Sequence, residues 1–331
     1  MDKKIKIGVF GIGHLGKLHL KLLKEISSER KDTEVIGIFD TDAEKMNLLS
    51  DENGLKKFNS PEDLIKEINT AIIVTPTSYH HELAEKTISA GVNTFIEKPV
   101  TDTLEQADKL LDLEKKHKVK VQIGHIERFN PAILSLENFN IKPLFIESHR
   151  LSQFNPRGTD VSVVQDLMIH DIDIILNLVK SPVKNISANG VAIITDKLDI
   201  ANARLEFENG CVANITASRI SLNKMRKMRL FQKNAYLSVD FSTNTSEVFR
   251  LSDKEEDETG FNFGTIEHKG KSHKIIYEKP SVEEINPLKF ELEKFIESIL
   301  NNTEPYVTLE DGRTALDVAS RIIKEIESNS K

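Results

Sequence analysis

The sequence predicts an α/β protein of two domains. Residues 1–125 form a doubly wound parallel sheet, and residues 126–331 form an α/β domain on a large, mostly antiparallel sheet with one face left open. Three observations predict this. A glycine-rich turn, Gly11-Ile12-Gly13-His14-Leu15-Gly16, ends an apolar run and opens an amphipathic one. Strand-length apolar runs then alternate with helix-length segments as far as Gly124, the pattern of a parallel sheet covered on both faces. Beyond Gly124, long stretches with a two-residue period take over, as in antiparallel sheets that pack on one side. A chain of 331 residues with 39% hydrophobic content exceeds a typical single domain and has apolar material for two cores.

The first strand, Ile5–Phe10, runs into the glycine turn. In the G-x-G-x-x-G spacing one glycine allows the tight turn, the next lets main chain approach a pyrophosphate, and the last permits close helix packing. The helix that follows, Leu15 to Ile26, turns its N-terminal N–H groups and dipole toward an anion. A second strand, Glu34–Phe39, ends on Asp40, 24 residues past Gly16. An acid about 20 residues beyond the turn accepts from an adenosine ribose hydroxyl. Gly11, Ile12, Gly13, His14, Leu15, Gly16 and Asp40 are therefore read as dinucleotide-binding. Asp40 would repel a 2′-phosphate and Thr41 and Asp42 bring no cation, so NAD is favoured over NADP.

A helix near Ala43–Ser50 and a short one after Ser60-Pro61 follow, and then Ala71–Thr75, apolar almost throughout, as a strand buried on both faces requires. Helix His80–Ala90, strand Asn93–Ile96, helix Leu104–His117 and strand Val119–Ile123 complete the sheet. Two loops leave its carboxyl edge, where doubly wound sheets bind ligands. Thr75, Pro76, Thr77 and His80 belong to the first; Glu97, Lys98 and Pro99 to the second. All but Pro99 are assigned to the cofactor side. Lys98 is also a candidate for proton transfer, because an ammonium beside a reacting hydroxyl favours alkoxide character.

In the second domain, strands are expected at Leu144–Arg150, Ile186–Ile194, Met228–Phe231, Ala235–Phe241, Glu247–Leu251 and His273–Tyr277. The stretch 201–215 reads as a hairpin with Ala201, Ala203, Leu205, Phe207, Cys211, Ala213 and Ile215 on one face and Asn209-Gly210 as a type I′ turn. Cys211 is then a small core residue rather than a nucleophile. The run Asp253–Glu258 is charged and expected as a solvated loop. Amphipathic helices at Pro287–Leu300 and Asp311–Glu327 close the chain and are free to pack back on the first domain.

One helix carries polar groups where the rest is apolar. From Asp166 to Val179, the residues Asp166, His170, Asp173 and Asn177 recur at helical spacing and share a stripe. Histidine titrates near neutrality and can accept a hydroxyl proton, and a carboxylate one turn earlier can orient its ring. His170 is read as the proton acceptor and Asp166 as its holder. The alternative is that Asp166 caps the helix and His170 is structural.

Composition removes other classes. Asp and Glu outnumber Lys and Arg by 52 to 45 without a long basic cluster, which gives no electrostatic footprint for nucleic acid. A single cysteine excludes an internal disulfide framework and leaves no Cys/His set for structural zinc, and no metal is expected. No apolar run approaches the ~20 residues of a membrane span, and the first residues run straight into a strand. A cytoplasmic protein without membrane contact is expected.

The glycine turn, Val74-Thr75-Pro76-Thr77-Ser78-Tyr79-His80, Glu97-Lys98-Pro99 and Asp166-x-x-x-His170 together resemble the glucose-fructose oxidoreductase / inositol dehydrogenase / rhizopine catabolism (Gfo/Idh/MocA) family over nearly the whole chain. The resemblance implies a Rossmann domain followed by an open-faced α/β domain. It implies catalytic roles for Lys98, Asp166 and His170, which would also touch substrate, and self-association as a homodimer or homotetramer through the second domain's sheet. The segments Gly124–Ala132 and Arg157–Asp173 are similar to members that oxidise the 3-hydroxyl of UDP-N-acetylglucosamine to a ketone, later converted to a 3-amino sugar for lipid A. Such a substrate gives Arg128 and Arg157 a diphosphate to pair with, with Asn130 as a further substrate contact. The alternatives are a dehydrogenase of a free sugar or inositol and, outside catalysis, an NAD-binding regulator.

Overall fold

A computed structural model describes residues 4–156, 161–252, 260–268, 271–281 and 284–329. The charged run 253–258 and Arg157 lie outside these residues. The chain divides into two units, Met1–Ile126 with Ile285–Leu316, and Glu127–Glu284 with Asp317–Lys331.

The first unit is a six-stranded sheet with helices on its flanks. Its elements in order are β1 (Ile5–Phe10), α1 (His14–Glu29), β2 (Thr33–Phe39), α2 (Ala43–Asn53), β3 (Lys56–Lys57), α3 (Pro61–Ile65), β4 (Thr70–Ile73), α4 (His80–Ser89), β5 (Asn93–Glu97), α5 (Leu104–His117) and β6 (Val121–Gly124). The strand order is β3-β2-β1-β4-β5-β6, and every pairing is parallel. The order reverses between β1 and β4, the crevice where this class of sheet takes its ligand.

Local chemistry sets the helix ends. Ser60 caps α3 ahead of Pro61, Thr103 and Gln106 form a capping box on α5, and Gly54 ends α2 in the left-handed region at φ +62°. All four residues of β4 are buried, as its apolar run requires.

One helix from the far end of the chain completes this core. The helix α8 follows in sequence order after the elements of the second unit and spans Pro287–Asn301; its Leu288, Leu292, Phe295, Ile296 and Ile299 are buried in one cluster with Ile5, Ile7, Leu20, Leu23 and Phe95. The second unit is therefore not a continuous stretch of sequence.

The second unit contains α6 (Pro131–Leu134), β7 (Phe145–Leu151), α7 (Ile169–Val179), β8 (Val183–Val191), β9 (Ile200–Phe207), β10 (Val212–Ser218), β11 (Met225–Gln232), β12 (Ala235–Asp240), β13 (Thr245–Ser252), β14 (Phe261–His268) and β15 (Lys271–Glu278). The last helix, α9 (Leu309–Asn329), divides between the units after Leu316. The nine strands run in the order β14-β15-β13-β12-β11-β7-β10-β9-β8. All pair antiparallel except β7 with β10.

Strand alternation gives this sheet two unlike faces. Ile146, Ala203, Leu205, Ala213, Ile215, Met228, Leu230, Leu237 and Val248 are buried, and α7 lies against β7 and β10. The opposite face carries a row of half-buried rings. Phe145, Phe231, Tyr236, Phe249 and Tyr277 touch in succession at centroid distances of 5.9, 5.1, 5.8 and 5.0 Å.

The hairpin β9–β10 has the expected inward face, and Cys211 is buried with its thiol pushed up to about 11 by desolvation. Its turn differs from the type I′ expectation. Gly210 N donates to Phe207 O (3.0 Å), and Gly210 alone in the turn has a positive φ, +86°. This is the longer connection in which a type I turn precedes a left-handed glycine bulge; type I′ needs positive φ at both central residues.

Asp199 ties down the loop before β9. Burial alone would raise its pKa, but main-chain N–H groups of Ile193, Ile194 and Thr195 (2.8, 2.7 and 3.0 Å) and the Thr195 hydroxyl outweigh it and pull the value to about 2. A folded-state value below the ordinary 3.8 contributes stability that is present above that pH and lost as pH falls through about 2. Asp199→Asn is expected to flatten the acid limb of thermal stability between these limits, measured by melting temperature against pH.

Candidate active site

Each glycine of the turn meets a different constraint. Gly11 sits at φ +87°, and a Cβ there would stand 2.6 Å from Val74 O; a Cβ on Gly16 would stand 2.1 Å from Gly11 O. Gly13, which caps α1, has nothing within 4 Å of where a Cβ would lie, so this face of the turn lets main chain approach a ligand. Lys17 N donates to Gly13 O (3.0 Å), and the N–H groups of the helix's first turn precede that bond. No acidic residue occupies this turn, where His14 and Leu15 are exposed.

Asp40 holds the turn from β2. Its Oδ2 accepts from Ile12 N (2.7 Å) and its Oδ1 from Asp42 N (2.8 Å). A carboxylate offers about four lone-pair sites, so acceptor capacity remains. Thr75 Oγ1, at the carboxyl edge beyond β4, is buried without a hydrogen-bond partner among the described residues. An open main-chain face at a helix N-terminus, an acid at the end of β2 and an unanswered hydroxyl on the strand edge fit an adenine dinucleotide.

His80 and Glu97, both read as cofactor contacts, are instead turned inward. His80 is buried, with Nδ1 2.9 Å from Pro99 O and Nε2 2.9 Å from Thr75 O. The Glu97 carboxylate lies 2.9 Å from His19 Nε2 through Oε1, and its Oε2 accepts from Lys98 N at 3.2 Å. Pro76 is exposed, Thr77 and Lys98 are half-buried, and the Lys98–Pro99 peptide is cis.

In the second unit, Asp166 and His170 are half-buried at the start of the helix. Asp166 does not cap it. A π-helical turn, Val164–Met168, leads into α7 with Val163 as N-cap and Asp166 inside the turn. Such turns recur at functional sites, and nothing in the sequence pattern announced this one. Val163, Val164, Met168, Ile169, Ile172 and Ile175 are buried, which fixes how this helix sits.

Asp173, on the polar stripe, is paired inside the protein. Arg128 donates to it through two nitrogens (Nε to Oδ2 2.8 Å, a terminal nitrogen to Oδ1 2.7 Å), and both side chains are buried. Two of the guanidinium donors read for a diphosphate thus meet a carboxylate inside the protein. Asn130 also has protein partners. It is buried as the N-cap of α6, accepting from Ala132 N (3.0 Å) and donating to Glu127 Oε2 (3.3 Å) and Phe241 O (3.2 Å).

A second buried ion cluster escaped the sequence reading. Arg150 donates to Asp171 (Nε to Oδ2, 2.7 Å) and Glu127 (2.7 Å), while Ser148 Oγ donates to Asp171 at 2.9 Å. Burial alone would lower the Arg150 pKa; Asp171 and Glu127 outweigh it and hold it above the usual guanidinium range. The cluster anchors the residue after His170 to β7. Its signal was Arg150 itself, a charge on the inward face of a strand alternating with Ile146 and Ser148.

The class follows from the first unit: it is an NAD-binding Rossmann oxidoreductase domain, and residues 5–125 match the family model described as "Oxidoreductase family, NAD-binding Rossmann fold". Residues 143–237 match the GFO/IDH/MocA C-terminal domain, and the chain belongs to the Gfo/Idh/MocA oxidoreductase family. It is 39% identical over 246 residues to UDP-N-acetylglucosamine 3-dehydrogenase of Acidithiobacillus ferrooxidans, covering 74% of this chain and 77% of that one. A solved structure of GnnA, the UDP-N-acetylglucosamine 3-dehydrogenase of that organism, superposes with TM-score 0.87 at 33% identity over 98% of both chains. Myo-inositol 2-dehydrogenase of Thermotoga maritima is 24% identical over 98% of this chain and 96% of its own length.

Proposed function

We propose that this protein is a sugar dehydrogenase that oxidises a secondary hydroxyl to a ketone, the 3-hydroxyl of UDP-N-acetylglucosamine or a related nucleotide sugar, with NAD as hydride acceptor. The observation that carries it is the 39% identity to a UDP-N-acetylglucosamine 3-dehydrogenase across 74% of the chain. Bound nicotinamide supplies the hydride acceptor, chemistry that no side chain offers. The chain's own residues bind, orient and move the proton. His170, with Lys98, takes it from the hydroxyl oxygen, and Asp166 orients the His170 ring. Arg157 is assigned to the diphosphate. The rate of NADH formation with UDP-N-acetylglucosamine, UDP-glucose, N-acetylglucosamine and myo-inositol tests the assignment; the nucleotide sugars are expected to be turned over and the free compounds not. A free inositol as substrate is the second reading, favoured by the myo-inositol relative.

The choice of NAD rests on Asp40, which accepts from a free 2′-hydroxyl and repels a 2′-phosphate. Asp40→Ala removes a charged hydrogen-bond acceptor worth about 1.5–3 kcal/mol. KM for NAD is expected to rise roughly ten- to a hundredfold, with kcat less affected, in initial-rate measurements.

Self-association is assigned to the open face of the nine-stranded sheet. Its ring row and the exposed Phe261, Phe263 and Ile266 make an apolar surface of the kind that marks protein contacts. A homodimer or homotetramer is expected in sedimentation equilibrium, and Phe249→Lys should shift it toward monomer. A monomeric wild-type protein would contradict this. Among the described residues no helix is long and apolar enough to cross a membrane. A cytoplasmic location is proposed on the buried, unpaired thiol of Cys211.

A further inference from the structure

We propose that His19, Glu97 and His80 are positioning residues that set the main chain of Lys98 relative to the cofactor edge of the first unit; the proposal rests on the reading of Lys98 as a proton-transfer residue. The chain on both sides of Lys98 is held from behind. Before it, the Glu97 carboxylate takes the Lys98 N–H with one oxygen and meets His19 Nε2, 2.9 Å away, with the other. After it, Pro99 O lies 2.9 Å from His80 Nδ1.

The two histidines relate to the cofactor edge differently. His19 stands on α1 three residues after Gly16, and its Nδ1 is buried without a hydrogen-bond partner among the described residues. His80 Nε2 lies 2.9 Å from the carbonyl of Thr75, whose hydroxyl is buried without a partner among the described residues. His19 and His80 are 0% and 1% exposed and Glu97 is 7% exposed, so none of the three is placed to serve solvent. The His19 ring rests on Phe95 at a centroid distance of 5.5 Å.

Space for the arrangement comes from β6. A Cβ on Gly124 would stand 2.9 Å from the Glu97 carboxylate, so a larger residue there would displace the group that holds Lys98. Buried hydrogen bonds of this kind are expensive to break and hold a geometry closely. A displacement of about 1 Å at a reacting group can cost on the order of a hundredfold in rate. The three residues therefore act on the chemical step through Lys98.

The test measures kcat, KM and NADH affinity, the last by titration calorimetry, with UDP-N-acetylglucosamine and NAD as substrates. His19→Leu, His80→Leu and Glu97→Ala are each expected to lower kcat roughly ten- to a hundredfold, with NADH affinity within about threefold of wild type. Glu97→Gln, which keeps an acceptor for Lys98 N–H, is expected to restore part of the kcat lost in Glu97→Ala. His19→Gln and His80→Asn, milder changes, serve if the leucine variants fail to fold. Unchanged kcat in the histidine variants, or kcat lost in step with NADH affinity, would overturn the proposal. Lys98→Ala is the control: full activity in that variant removes the underlying reading of Lys98, whereas an inactive Lys98→Ala beside active histidine variants removes only the positioning role.

Discussion

Lys98→Ala and His170→Ala are each expected to lower kcat by roughly two to four orders of magnitude, the usual contribution of a placed proton acceptor, while NADH binding stays near wild type. The separation follows from where the groups stand. The proposed dinucleotide site centres on the glycine turn, the α1 N-terminus and Asp40, whose hydrogen bonds with Ile12 N and Asp42 N involve neither side chain. His170 opens α7, whose seating depends on Ile169, Ile172, Ile175 and the Asp171–Arg150 pair, so truncation of the ring should leave the helix in place. Asp166→Asn is expected to give a smaller loss, because it removes the charge that orients the ring but not the proton acceptor. NADH absorbance reads turnover and calorimetry reads affinity. Full activity in both alanine variants would refute the assignment.

Arg150→Met is expected to be the most destabilising single change of those considered, by about 3–5 kcal/mol, since it leaves two buried carboxylates without their cation. Glu127 and Asp171 both face Arg150 at 2.7 Å, and Arg226, the other cation near Glu127, is half-exposed at 3.7 Å. The midpoint of urea unfolding measures the effect. Arg150→Met with Asp171→Leu and Glu127→Leu should recover much of it, because replacing a buried ionic group by apolar residues is often neutral. A single variant as stable as wild type would mean that the cluster is not the anchor of α7.

Most of the first unit was legible because its signals are local. A strand buried on both faces must be apolar at every position, as Thr70–Ile73 nearly is, and a turn that admits a phosphate must lack side chains at Gly11, Gly13 and Gly16 for reasons the structure separates. What was not legible depends on distant partners. The stripe on α8 is visible in sequence, but nothing in it says that Phe295 meets Phe95. Strand β14 was missed because Gly264 interrupts its pattern and its rings at Phe261 and Phe263 remain exposed.

The same distinction governs the candidate site. Lys98, Asp166 and His170 were read as candidates from motif and spacing. Arg128 and Asn130 stand beside a motif, and the partners their side chains meet inside the protein, Asp173 and Phe241, lie 45 and 111 residues away, out of reach of local pattern. Glu97 and His80 belong to the motifs, and their side chains meet protein partners, His19 and Lys98 N for one and Pro99 O and Thr75 O for the other.

The most direct test of the central claim uses UDP-N-acetylglucosamine carrying deuterium at C3 of the sugar. Oxidation of the 3-hydroxyl by hydride transfer predicts deuterium in the reduced nicotinamide, a 3-keto product and a slower hydride-transfer step in single-turnover measurements. Reduced cofactor free of deuterium, or a product that keeps it at C3, would contradict the account.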